Sequence, residues 1–164
     1  MQRSTIVRPE FPPNPDAAEF AGQLFFRLWR ATHTRIAERL ESIGLTPASF
    51  GVLNLLGKRD AAKQQEIGKA MGIDPSTMVA LLDGLEEAGL VTRRPHPHDR
   101  RAREVAITAQ GRKALERGRK LNDEVEDEVL NGLSKTERRQ LLGLLRQALV
   151  SSPPQPLWSS AEGD

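Results

Sequence analysis

The sequence predicts a mainly α-helical fold carrying one small β-hairpin, and three observations carry that prediction. Apolar residues recur at helical spacing along most of the chain. Helix-capping signals punctuate it at Asp16, Thr46-Pro47, Asp74-Pro75, Thr108 and Ser134. The period changes to strict alternation at one place, between residues 90 and 108. The 164 residues suit one domain with an added assembly element. Only 4% are aromatic and none is tyrosine, so Leu, Val, Ile and Ala must build the core, which favours helices.

Residues 1–15 contain four prolines and few apolar groups, which predicts an extended N-terminal arm. Asp16 offers an N-cap with Glu19 as its capping-box partner. Phe20, Leu24, Leu28, Ile36 and Leu40 follow, with Phe25, Trp29 and Ile43 widening the stripe until Gly44. A first helix over 16–44 is therefore expected, about 28 residues long, and its aromatic stripe suggests packing on a partner chain as well as on its own domain.

Thr46-Pro47 opens a second helix with Phe50, Leu53 and Leu56 inward, ending near Lys58. QQEIGKAMG (64–72) predicts a short helix with Ile67 and Met71 on one side and Gly72 placed for a left-handed turn. Asp74-Pro75 starts PSTMVALLDGLEEAG (75–89), whose apolar face is Met78, Leu81, Leu82, Leu85 and Ala88. Two helices joined by so tight a turn make a helix-turn-helix. LVTRR and REVAIT then alternate around PHPHDRRA, so 90–108 predicts a two-stranded hairpin with a basic tip, stiffened and kept out of strand pairing by Pro95 and Pro97. Thr108 caps a helix carrying Leu115, Leu121, Val125 and Val129. Ser134 and Glu137 box the start of a last one carrying Leu141, Leu142, Leu144, Leu145 and Leu149. The organisation is an arm (1–15), a first dimerisation helix (16–44), a helix-turn-helix with hairpin (45–108), C-terminal helices (109–150) and a disordered tail (151–164).

Charge distribution says more than the net +2. Residues 91–104 carry five Arg against Asp99 and Glu104, a local +3, whereas 122–128 (NDEVEDE) carry five acids and no base. Such polarity can orient a protein on nucleic acid. The absence of cysteine removes disulfides, thiolate metal sites and thiol redox sensing. His96 and His98 could chelate, but His33 is the only other histidine, so no metal site and no cofactor is expected. No signal-peptide or membrane-length apolar run is present, which predicts a cytoplasmic protein. Nothing pairs a nucleophile with a base or builds a phosphate loop, and an enzyme is not expected.

Three stretches carry a closer likeness: LTPASFGVLNLL (45–56), QQEIGKAMGIDPSTMVALLDGLEEAGLVTR (64–93) and HDRRAREVAITAQGR (98–112). Asp-Arg-Arg, the Ile-Thr and the following Gly, in that spacing after a helix-turn-helix, resemble the MarR family of winged helix-turn-helix regulators over roughly residues 17–150. The resemblance implies a homodimer whose first, fifth and sixth helices interlock. It implies two winged reading units on a pseudo-palindromic operator in double-stranded DNA, and repression relieved when a small, often aromatic ligand binds between the dimerisation region and the DNA-binding lobe.

Turning Met78, Leu81, Leu82 and Leu85 inward puts Ser76, Ala80, Asp83 and Glu87 outward on the helix from Pro75, with Thr77 and Val79 on the flanks. Ser76 and Thr77 could meet phosphates or base edges, or serve only as first-turn residues. Val79 or Ala80 could touch a thymine methyl, with ordinary packing the alternative for Val79. Where the family often has arginines, this helix has Val79-Ala80 and Gly84, so base reading from it should be thin. By the family pattern, Arg101 enters the minor groove, Asp99 pins it and Arg100 faces phosphate. Arg93, Arg94 and Arg103 add backbone attraction. For a ligand, Trp29, Arg30, His33, Phe50 and Leu53 form the candidate wall, the alternative being core or dimer contact. The shortage of helix arginines keeps open a second function, a winged helix that binds protein.

Overall fold

The computed structural model describes residues 20–96 and 99–151, with His96 and residues 99–102 described by backbone alone. The arm, the Asp16–Glu19 capping box, Pro97, His98 and the tail from residue 152 lie outside the described residues, while Ser151, expected to begin the tail, is the last residue of a helix. Six helices and three strands run in the order α1 (Ala21–Glu41), α2 (Pro47–Arg59), β1 (Ala61–Lys63), α3 (Gln64–Met71), α4 (Pro75–Glu87), β2 (Val91–His96), β3 (Asp99–Ile107), α5 (Ala109–Val129) and α6 (Lys135–Ser151).

Capping chemistry sets most of these boundaries. Thr46 and Ser49 bond reciprocally at the start of α2, the Thr46 hydroxyl accepting from the Ser49 amide at 3.1 Å and the Ser49 hydroxyl from the Thr46 amide at 2.7 Å. Ser49 thus plays the part usually taken by Glu. α2 ends on Asp60, whose φ of 63° turns the chain sharply and whose carboxylate takes a 2.5 Å bond from Arg112. Gly72, at φ 61°, supplies the left-handed C-cap between α3 and α4.

The sheet departs from the predicted two-stranded hairpin. Its order is β1-β3-β2, all antiparallel, and Ala61, Ala62 and Lys63 lie opposite Ala106, Val105 and Glu104. Three residues are too few to show a period, so β1 is invisible to pattern and forms only because β3 offers a free edge. Pro95 is also placed differently from expectation. It sits within β2 opposite Arg103, tolerated because β2 is the outer strand on its other side. Beyond it the pairing passes from Pro95–Arg103 to His96–Asp99, an irregularity that takes up the stretch 100–102 of β3.

One core joins the layers. Leu40 of α1, Val52, Leu53 and Leu56 of α2, Ile67, Met78, Leu82, Val91, Val105 and Val125 are essentially removed from solvent. Leu81 is only half-buried and Ala88 is an exposed C-cap, so the inward face of α4 is narrower than its sequence suggested. α6 buries nothing within the chain, and Leu144 and Leu149 are exposed.

Two of the closely packed glycines lie on α5. A Cβ at Gly118 of α5 would stand 2.7 Å from the Phe50 ring, and one at Gly111 would collide with the Leu90 carbonyl oxygen. Gly118→Ala should therefore lower stability by about 1–3 kcal/mol, with part recovered by adding Phe50→Leu. Gly111→Ala should cost more, because backbone cannot rotate away. Thermal melts of the three variants measure this ordering.

Candidate nucleic-acid interface

The exposed face of α4 and the root of the hairpin form one surface. Asp74 caps α4: one carboxylate oxygen accepts from the amides of Ser76 and Thr77, both at 3.0 Å, and from the Ser76 hydroxyl at 2.5 Å. These bonds hold the Asp74 carboxyl well below the usual range, the side-chain bond from Ser76 contributing most. The first-turn amides are not free for a phosphate, and the Ser76 hydroxyl hydrogen is committed, which leaves its oxygen to accept. Thr77, Val79 and Ala80 are exposed, Val79 by 42%.

At the hairpin root, Arg93 faces α4 rather than solvent. Its amide donates to one oxygen of Glu86 at 2.9 Å and its Nε to the other at 2.8 Å, while Nη2 reaches both Glu86 and Asp83. The guanidinium is only 20% exposed. The pairing raises the Arg93 pKa, through the Glu86 bond first, and lowers that of Glu86 through the reciprocal bond. Arg94 bonds Glu104 across the hairpin at 2.7 Å but stays largely exposed. Arg103 is exposed and acts on Glu86 through its charge, the weakest of the influences that lower the Glu86 pKa. The side chains of Asp99, Arg100 and Arg101 lie outside the described residues. Between α4, the hairpin root and the start of α3 lies a groove of about 440 Å³, lined by Gln64, Val79, Glu86, Arg93 and Arg103. Gln64 was not singled out from sequence. Only the docking of α3 beside α4 brings it there.

The comparisons decide the family. A MarR family model matches residues 43–102. A Thauera aromatica protein named for transcriptional regulation of the hcr operon is 32% identical over 145 residues, covering 83% of this chain and 87% of its own. This chain belongs to the MarR family. Solved structures agree: a cysteine-to-serine mutant of E. coli MarR complexed with operator DNA superposes at TM-score 0.69 with 26% identity, covering 78% of this chain and 92% of that one. A MarR-family regulator from Rhodococcus sp. RHA1 gives 0.72 with 29% identity, covering 81% and 93%. CouR from Rhodococcus jostii RHA1, bound to p-coumaroyl-CoA, gives 0.70 with 29% identity, covering 84% and 95%. As a MarR-family member the protein is a DNA-binding transcriptional regulator with a winged helix fold.

The residues expected to wall a ligand site in this MarR-family chain are only partly together. Trp29 and His33 stack on one face of α1, ring centroids 4.8 Å apart and planes 21° apart, with Phe26 6.0 Å from Trp29 and Arg30 exposed nearby. Phe50 faces the other way, against Gly118. Leu53 has no exposed surface and packs in the core, the alternative that the sequence left open for it. His33 borders a shallow pocket of about 520 Å³ with Glu38, Glu41, Thr46 and Pro47, whose two carboxylates make it a poor seat for an acid. No helix among the described residues is long and apolar enough to cross a membrane.

The Asp74 cap predicts a pH dependence. Its folded pKa is depressed, so its contribution is complete above the unfolded value near pH 4 and is lost as the pH falls below that toward the folded value. Asp74→Ala should lower the melting temperature at neutral pH, and the gap between variant and wild type should narrow between about pH 4 and pH 2. Melts across that range read the effect.

Proposed function

We propose that the protein is a homodimeric repressor that occupies a pseudo-palindromic operator and is released by a small aromatic ligand. The observation that carries this reading is the shared groove between the exposed face of α4 and the basic hairpin root. A β-ribbon tip with Arg100 and Arg101 just beyond that groove suits phosphates and a minor groove, where an arginine gains from the negative potential. The homodimer is supported by apolar surface left open on α1 and α6, including Phe20, Phe25, Trp29, Leu144 and Leu149.

The ligand class is suggested by the stacked Trp29–His33 pair with Arg30 beside it, and by the p-coumaroyl-CoA bound to CouR. A flat aromatic group suits the stack, and Arg30, rather than the pocket beside Glu38 and Glu41, is the place for its negative charge. A second reading, a winged helix that docks on protein, draws on one observation: α4 carries no Lys or Arg.

Anisotropy titrations with DNA flanking the protein's own gene separate the readings. Affinity should fall steeply with salt, with a log–log slope of about −0.9 per phosphate neutralised, and salt-indifferent binding would favour the protein partner. Arg101→Ala should weaken specific binding roughly tenfold. Aromatic acids and their thioesters should release the DNA, and specific binding untouched by every one of them removes the ligand from the proposal.

A further inference from the structure

α4 is an odd helix to lay against DNA. Its residues include Asp83, Glu86 and Glu87 and no base, and Asp74 caps its start. Carboxylates facing a phosphate backbone repel it. Two of them, Asp83 and Glu86, are nevertheless both bonded by one cation from another element, Arg93, the third residue of β2, while Arg103 acts on Glu86 through charge alone. Arg93 bonds both oxygens of Glu86, one through its amide and one through Nε, so backbone and side chain of the hairpin root are fastened to the helix together. The pair forms part of the groove that also contains Val79 and Arg103.

We propose that Arg93 is a positioning residue for DNA reading. It lends α4 the positive charge that helix lacks and fixes the hairpin's angle to it, and does not itself contact a phosphate. The proposal rests on the DNA-binding reading above. Its geometry distinguishes it from Arg94 and Arg103, which are exposed at the same root. An arginine already forked onto two carboxylates and four-fifths buried has little left to give a phosphate.

Two opposite signs follow for Glu86. If Arg93 were a phosphate contact restrained by acids, Glu86→Ala would free it, remove a repulsive charge and tighten binding. If Arg93 is the clamp, the same substitution releases the hairpin and weakens specific binding even though it makes the surface more positive.

The experiment uses the full chain, a duplex selected by the wild-type protein from a random-sequence pool, and the same duplex with its base pairs shuffled. Affinities are measured across a salt series at a temperature below every variant's melt. Glu86→Ala and Arg93→Met should each weaken binding to the selected duplex about tenfold, and the double variant should be no weaker than Arg93→Met alone, the non-additivity of two residues in one interaction. Binding to the shuffled duplex should be unchanged or tighter for Glu86→Ala. A residue that merely supported the fold would lower both affinities together.

Tighter binding by Glu86→Ala on both duplexes, or a salt slope reduced by about 0.9 in Arg93→Met, overturns the clamp. Arg93→Lys keeps the charge but not the fork and guards against misfolding of the methionine variant. It should keep shuffled-duplex affinity and lose selectivity, and full selectivity in the lysine variant also overturns the proposal. A wild-type protein that binds both duplexes equally sinks the DNA-reading function itself, an outcome distinct from failure of the clamp alone.

Discussion

The geometry of the reading surface depends on one joint, where both feet of the hairpin meet the ends of two helices at Thr108. Its hydroxyl donates to the Gly89 and Leu90 carbonyls at 2.7 and 3.2 Å and accepts from the Gly111 amide at 2.9 Å. Its own amide donates to Leu90 at 3.1 Å. One side chain therefore caps α5, fixes the exit from α4 and closes the base of the hairpin. Gly89, at φ 69°, lets the chain leave α4 tightly enough to reach it, and Gly111 is small because the Leu90 carbonyl lies where a Cβ would go. The Gln110 side-chain amide adds a 3.2 Å bond to the Ala88 carbonyl.

A joint of this kind fixes position at the base of the hairpin, and β1 braces only its β3 side, through the pairs at 104–106, leaving β2 to be held from the α4 side. The Arg93 fork supplies an attachment on that side, at the third strand pair beyond the joint. Together the two attachments convert a hinge into a bracket. This explains why the exposed ion pairs elsewhere matter less. Arg39 with Glu124 and Glu128 holds exposed helix surfaces together, and such pairs contribute about 0–1 kcal/mol each.

Four of the six described helices were legible twice over, by apolar period and by a cap at Thr46, Asp74, Thr108 and Ser134, whereas α1 and α3 start without a side-chain cap and were legible by period and by the glycine that follows them. The helix-turn-helix and the basic hairpin were legible for the same reason. β1 was not, since three residues show no period and its pairing depends on a strand some forty residues away. The candidate interface was legible as a list of residue types but not as a set of partners. Arg93 reads as one cation in a basic run, and only the docking of β2 on α4 shows that it faces two acids ten and seven residues back. Leu53 shows the converse. Its apolar face was correctly turned inward, but inward at that point is the core rather than a cavity.

α5 links this bracket to the rest of the molecule. Its 21 residues span about 30 Å. Its first turn is part of the Thr108 joint, its middle is pressed against Phe50 at Gly118, and its last turns are tied to α1 through Arg39 and to α6 through Arg138 and Asp127. A rod held at both ends transmits a change of angle rather than absorbing it. The Trp29–His33 stack sits on α1, the helix that α5 packs against most extensively among its neighbours. A shift of α1 would therefore reach the hairpin through α5, and the bracket would carry it to α4 as well, so that α4 and the hairpin move as one body.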